Sequence, residues 1–152
     1  MNEQLRTALE NEHQELHEQL ELAIQAGGEV GAAARTVAER LHAHFVGEER
    51  YAVPPLALLP RLAAGEIEPD MAGVVTLAET LKRNLPQMLA EHRAIVAALN
   101  DLRAAARRAR HDEVLSFSDQ LERHAQNEEE VLYPAAILVG EYLQLKLGRR
   151  DP

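Results

Sequence analysis

Apolar positions recur along this chain at intervals of three and four residues, the period that lays a hydrophobic stripe down one face of an α-helix. From about Asn2 to Ala26 the stripe runs through Leu5, Leu9, Leu16, Leu20, Ala23 and Ile24, and Gly27-Gly28 ends it. A second helix is predicted from about Glu29 to Tyr51, with Val37, Leu41, Phe45 and Glu48 on one face. Pro54-Pro55 then interrupts the chain before the apolar continuation Leu56 to Leu62. Gly65 to Asp70 reads as the longest loop, with Pro69 placed to open the next element. A third helical region, about Asp70 to Arg110, contains Pro86, which is expected to kink it or divide it in two. His111-Asp112 marks a turn, and a fourth helix runs from about Glu113 to Leu147 with Pro134 breaking its hydrogen-bond ladder. No Val/Ile/Thr alternation of strand type is sustained anywhere. The predicted fold class is therefore all-α, an up-down four-helix bundle.

The chain also repeats itself. A shift of 79 residues places Leu9 on Met88, Glu12 on Glu91, His13 on His92, Leu16 on Ile95 and Leu20 on Leu99. A shift of 80 places Leu41 on Leu121, His44 on His124, Glu48 on Glu128, Glu49 on Glu129, Pro54 on Pro134 and Leu58 on Leu138. Leucines coincide often in a Leu-rich helical sequence, but two histidines and a His-x-x-x-Glu pair in one register do not. The expected architecture is two helical hairpins related by approximate two-fold symmetry, too few units for a solenoid.

Composition narrows the chemistry. The 152 residues are 46% hydrophobic and 27% charged, enough for a real core in a single domain spanning 1–152. There is no cysteine, which excludes disulfides, thiolate zinc sites, iron–sulfur clusters and a catalytic thiol. A net charge of −9, and a basic cluster from Arg103 to Arg110 without interleaved aromatics, make nucleic acid an unexpected partner. The polar N-terminus does not read as a signal peptide and no apolar run is long enough for a membrane span, so no membrane contact and a cytoplasmic location are expected.

Residues four apart on a helix share a face, so His44 with Glu48 and His124 with Glu128 can each aim a nitrogen and a carboxylate at one point. Both pairs interrupt stripes that should face the core, between Leu41 and Phe45 and between Leu121 and Ala125. His13 and His92 interrupt their stripes in the same way. A carboxylate buried without a partner is strongly disfavoured, and a bound cation remedies it. Four histidines and two glutamates converging from four helices could hold two metals, with the carboxylates bridging and an oxo or hydroxo group completing five ligands on each. One position is then left for a small molecule. Mixed nitrogen and oxygen ligation of this kind suits iron, with manganese or zinc as alternatives.

These residues resemble the hemerythrin-like, or HHE cation-binding, domains. The resemblance covers nearly the whole chain and rests on Glu12-His13, the run His44 to Glu49, Glu91-His92 and the run His124 to Glu129. It implies a bundle around a non-haem di-iron centre, with His13 and His44 on one iron, His92 and His124 on the other, and Glu48 and Glu128 bridging. Its expected function is to bind, sense or react with a diatomic ligand, dioxygen or nitric oxide, as a metal and gas binder more than a dedicated enzyme, in iron or redox stress handling. Monomer and homodimer both fit. The five-histidine oxygen carriers of that family have His-x-x-x-His on the third helix, whereas the positions four either side of His92 here are Met88 and Val96. The 152 residues contain no cysteine, so no cysteine-bearing N-terminal segment like that of its nitric-oxide-stress members is expected, and the sequence is expected to be a stand-alone domain.

Two alternatives compete. Ferritin-like di-metal oxidases use Glu-x-x-His, and Glu10 with His13 and Glu39 with His42 have that spacing, but neither copy recurs in the second half. A metal-free interaction bundle, with Ala135 to Val139 as an interface, leaves six polar core positions unexplained. His17 reads as partly exposed or as a neighbour of the ligands, His42 and His111 as surface residues, and Glu49 and Glu129 as solvated or hydrogen-bonded to ligands. Tyr133 reads as packed beside Pro134.

Overall fold

A computed structural model of the chain describes residues 3–148. The expected start of the first helix at Asn2 and the ends of the 1–152 domain lie outside those residues. The all-α expectation is borne out, with no strand among the described residues. The first two long helices are α1 (Glu3–Gln25) and α2 (Gly28–Tyr51), followed by two short ones, α3 (Val53–Ala57) and α4 (Leu59–Ala63). After the loop, a 3-10 turn (Pro69–Met71) leads into α5 (Ala72–Arg108), and α6 (Asp112–Asn127) passes through a π-helical turn (Glu128–Leu132) into α7 (Tyr133–Gly148).

The breaks follow from local chemistry. Gly27 and Gly28 turn the chain between α1 and α2 at φ 71° and 57°, the left-handed region that side chains disfavour. Pro86 does not divide α5. It lies on the exposed face, where water can satisfy the Lys82 carbonyl that loses its donor. Pro134 acts differently. Its ring would press on the carbonyl four residues back, and the chain answers with the wide π turn immediately before it.

α2 packs along α5, α5 also carries α6 and α7, and α1 packs on α2 and meets α6. α5 and α7 approach closely at Gly140, where an added Cβ would lie 2.3 Å from the Ala78 Cβ. Three apolar clusters result. Leu16, Leu41, Phe45, Ile95, Leu99 and Leu121 belong to the first, Ala52, Leu56, Leu81, Met88 and Ala136 to the second, and Leu58, Met71, Val139 and Leu143 to a third. On α1 and α5, the buried histidine separates the positions given to the first cluster from those packed with the second. No helix among the described residues is long and apolar enough to cross a membrane.

Candidate metal centre

Helix spacing carries His44 and Glu48 inward from α2, and His124 with Glu128 inward across the junction of α6 and the π turn, while α1 and α5 supply His13 and His92. All six are buried, between 1% and 8% exposed. They converge as two groups, His13, Glu48, His124 and Glu128 in one, and His44, Glu48, His92 and Glu128 in the other. Within each group the donor atoms lie within 4.8 Å of one another, and both glutamates belong to both groups. The histidine partition expected from the family resemblance is thus corrected. His13 is grouped with His124, not with His44, and His44 with His92, because the His44 and His92 Nε2 atoms meet at 2.8 Å while the His13 ring lies edge-on to that of His124 at 5.4 Å.

Each histidine is held from behind by a carboxylate of another helix. His13 Nδ1 donates to Glu49 at 3.1 Å, His44 Nδ1 to Glu91 at 2.7 Å, His92 Nδ1 to Glu129 at 2.9 Å and His124 Nδ1 to Glu12 at 2.7 Å. A carboxylate only accepts, so in the neutral imidazole the proton sits on Nδ1 and the Nε2 lone pair faces inward, the tautomer a metal needs. Outer carboxylates of this type orient metal-binding imidazoles and raise their basicity.

Inside, acceptors crowd together. His44 and His92 oppose their Nε2 atoms at 2.8 Å, His13 Nε2 lies 2.8 Å from Glu48 Oε1, and His44 Nε2 lies 3.1 Å from Glu48 Oε2. Two lone pairs at such a distance require a proton or a cation between them. Burial alone would lower the pKa of His13, His44 and His124, but hydrogen bonds to the glutamates outweigh it, raising all three and bringing His124 to about 9. Burial would likewise raise Glu48, yet its hydrogen bonds to Glu128, His13 and His44 hold it well below the usual carboxylate range. Glu128 is raised, by burial and by the charge of Glu48. Among the described residues, His124 Nε2 and Glu128 Oε2 are buried and have no hydrogen-bond partner. An inward donor set of imidazole nitrogens and carboxylate oxygens with two unpartnered atoms is compatible with a bound cation.

Comparison with protein families then gives one match. Residues 83–146 match the hemerythrin HHE cation binding domain. The family resemblance expected from the motifs is found again over that segment. No curated protein and no solved structure matches the chain. The hemerythrin HHE segment contains His92, His124 and Glu128, and its geometric partners His13, His44 and Glu48 come from the preceding helices.

Tyr133, also within the hemerythrin HHE segment, corrects the reading of a tyrosine packed beside Pro134. Its hydroxyl donates to Glu48 Oε2 at 2.8 Å and lies 3.0 Å from His44 Nε2 and 3.1 Å from His92 Nε2. Burial and the charges of Glu128 and Glu48 raise its pKa. Residues five apart on a regular α-helix point about 140° apart. The π turn has five-residue closure, which brings Tyr133 round to the face of Glu128. His17 is half-buried against His42 and Phe45, outside both groups, and His42 is exposed. Burial, with the nearby His42 and His13, lowers the pKa of His17. His111 is half-buried at the start of α6. The Glu-x-x-His spacings do not assemble a centre, because Glu10 pairs at the surface with Arg6 at 3.0 Å and Glu39 is exposed. Leu16, Leu41, Phe45, Ile95 and Leu121 are all buried in one cluster, with Phe45 stacked on His13 at 3.8 Å.

Proposed function

We propose that the chain is a non-haem di-iron protein that binds, senses or reacts with a diatomic ligand, dioxygen or nitric oxide, within a four-helix bundle of two approximately symmetric hairpins. The observation that carries this is the sharing of Glu48 and Glu128 by both donor groups. A carboxylate common to two groups is suited to bridge two cations, and each group adds two imidazole nitrogens of its own. Iron supplies the redox and ligand-binding chemistry of such a centre, while this chain's residues fix the imidazole tautomers and keep the site within apolar surroundings. The outer hydrogen bonds support the two-fold reading, since the exchange of Glu12 for Glu91, His44 for His124, Glu49 for Glu129 and His13 for His92 turns each bond into another of the set. The ferritin-like alternative loses its second motif to solvent.

Protein loaded with ferrous iron without oxygen and then desalted is expected to retain about two irons per chain. Protein that takes up none sinks the proposal. Stopped-flow mixing of the reduced form with oxygen is expected to give rapid oxidation without a long-lived oxygenated species. The five-histidine oxygen carriers have an extra third-helix histidine, and neither Met88 nor Val96 supplies it here. A reversible, persistent oxygenated form would indicate a carrier instead.

The outer carboxylates give a graded test. Glu12→Ala and Glu91→Ala leave His124 and His44 without their Nδ1 acceptors. Chelator competition is expected to show affinity weaker by about 10–100-fold, with helix content by circular dichroism retained. Affinity equal to the parent's would mean that these hydrogen bonds do not orient the ligands.

A further inference from the structure

We propose that the Tyr133 phenol oxygen is a further protein ligand on the His44/His92 side of the centre, so that the two metal positions are unequal and small ligands exchange on the His13/His124 side. This rests on the di-metal reading above.

Three distances carry it. The Tyr133 oxygen lies 2.8 Å from Glu48 Oε2, 3.0 Å from His44 Nε2 and 3.1 Å from His92 Nε2. Those spacings equal the spacings among the donor atoms themselves, 2.8 Å between the His44 and His92 nitrogens and 3.1 Å from His44 to Glu48. Ligand atoms adjacent on one ion, each bonded at about 2.0–2.1 Å, stand roughly 3 Å apart. A phenol that merely borders a site would approach one of its donors, whereas this one is nearly equidistant from three. It is fully buried, at 0% exposure. Phenolate oxygen is an established iron donor in proteins.

The opposite side lacks this group. The shift of 80 residues that places His44 on His124 and Glu48 on Glu128 places Val53 on Tyr133, and valine has no donor atom. The same exchange converts two of the atoms around the Tyr133 oxygen, His44 Nε2 and Glu48 Oε2, into His124 Nε2 and Glu128 Oε2. Those are the two buried side-chain atoms without a hydrogen-bond partner among the described residues. The phenol therefore supplies on one side a polar partner that the other side lacks. On loading, metal takes the place of the phenolic proton, which leaves to bulk water, with no change of oxidation state.

The test uses the full chain and Tyr133→Phe, each loaded with ferrous iron and oxidised in air. Iron content, visible absorption and resonance Raman spectra are read, followed by titration with azide. The parent is expected to hold about two irons and show a phenolate-to-iron(III) charge-transfer band with tyrosinate ring modes. Tyr133→Phe is expected to lose that band at unchanged iron content, and to bind about two azides where the parent binds about one. Two irons with no phenolate band in the parent, or a band that persists in Tyr133→Phe, overturns the inference and leaves the di-iron reading standing. A parent that binds no iron overturns both.

Discussion

Glu48→Ala and Glu128→Ala are each expected to abolish the paired metal centre. Every other candidate ligand among the six belongs to one donor group, whereas these two glutamates belong to both. Removing one therefore takes a donor from both positions at once, and it also removes the negative charge that offsets two buried cations. Iron retained after desalting is expected to fall from about two per chain to about one or none, far below the level left by an outer-carboxylate change. The comparison that decides the assignment is Glu129→Ala. Glu129 adjoins Glu128 in sequence but reaches only the outer nitrogen of His92, at 2.9 Å. Its loss is expected to weaken binding by about 10–100-fold while iron at saturation stays at the parent's level. If Glu129→Ala lost iron as completely as Glu128→Ala, the inward face of the π turn would be assigned one residue away from where it lies. Circular dichroism of each variant separates loss of ligand from loss of fold.

What could be read in advance and what could not divide along physical lines. His44 with Glu48 and His124 with Glu128 were legible because helical spacing within one element decides which residues share a face. His13 and His92 were legible only through the repeat, which set them in register. The partition of the histidines between the groups was not legible, because it depends on which helices touch across hairpins, and the sequence pattern does not contain that. Glu12 and Glu91 stood in the motif without a role. Adjacent helical residues diverge by about 100°, so each turns away from its own neighbour and serves a histidine of another helix. Their coincidence in the repeat, together with that of Glu49 and Glu129, was the signal for them. Tyr133 escaped because α-helical spacing turns it away from Glu128, and only the π turn ahead of Pro134 brings it round. A proline six residues after a candidate ligand, inside an otherwise unbroken helical pattern, is the available hint of such a turn.

Removing the metal is expected to lower the melting temperature strongly, and by an amount that grows with pH. Metal that binds only the folded chain stabilises it by roughly 4 kcal/mol when free metal is about a thousand times its dissociation constant. For a chain of this size each kcal/mol is worth roughly 2–4 °C, so the loaded protein should melt roughly 8–16 °C above the metal-free one. Protons set the pH dependence of the metal-free protein. His124 rises from an ordinary 6.5 to about 9 in the folded chain, and His13 and His44 shift the same way. A folded-state pKa above the unfolded value contributes stability that is complete below the unfolded value and is lost as pH rises through the folded one. Glu128, raised from 4.5, acts in the same sense. Glu48 is depressed and acts oppositely, so its contribution is already present above 4.5 and does not change on the alkaline side. Between pH 6.5 and about 9 the metal-free protein therefore loses proton-linked stability, while in the loaded protein metal holds the positions those protons occupied. Thermal melts of chelator-treated and iron-loaded protein across that range are expected to show a widening gap. Equal melting temperatures at every pH would mean that the six buried side chains hold no metal that matters to the fold.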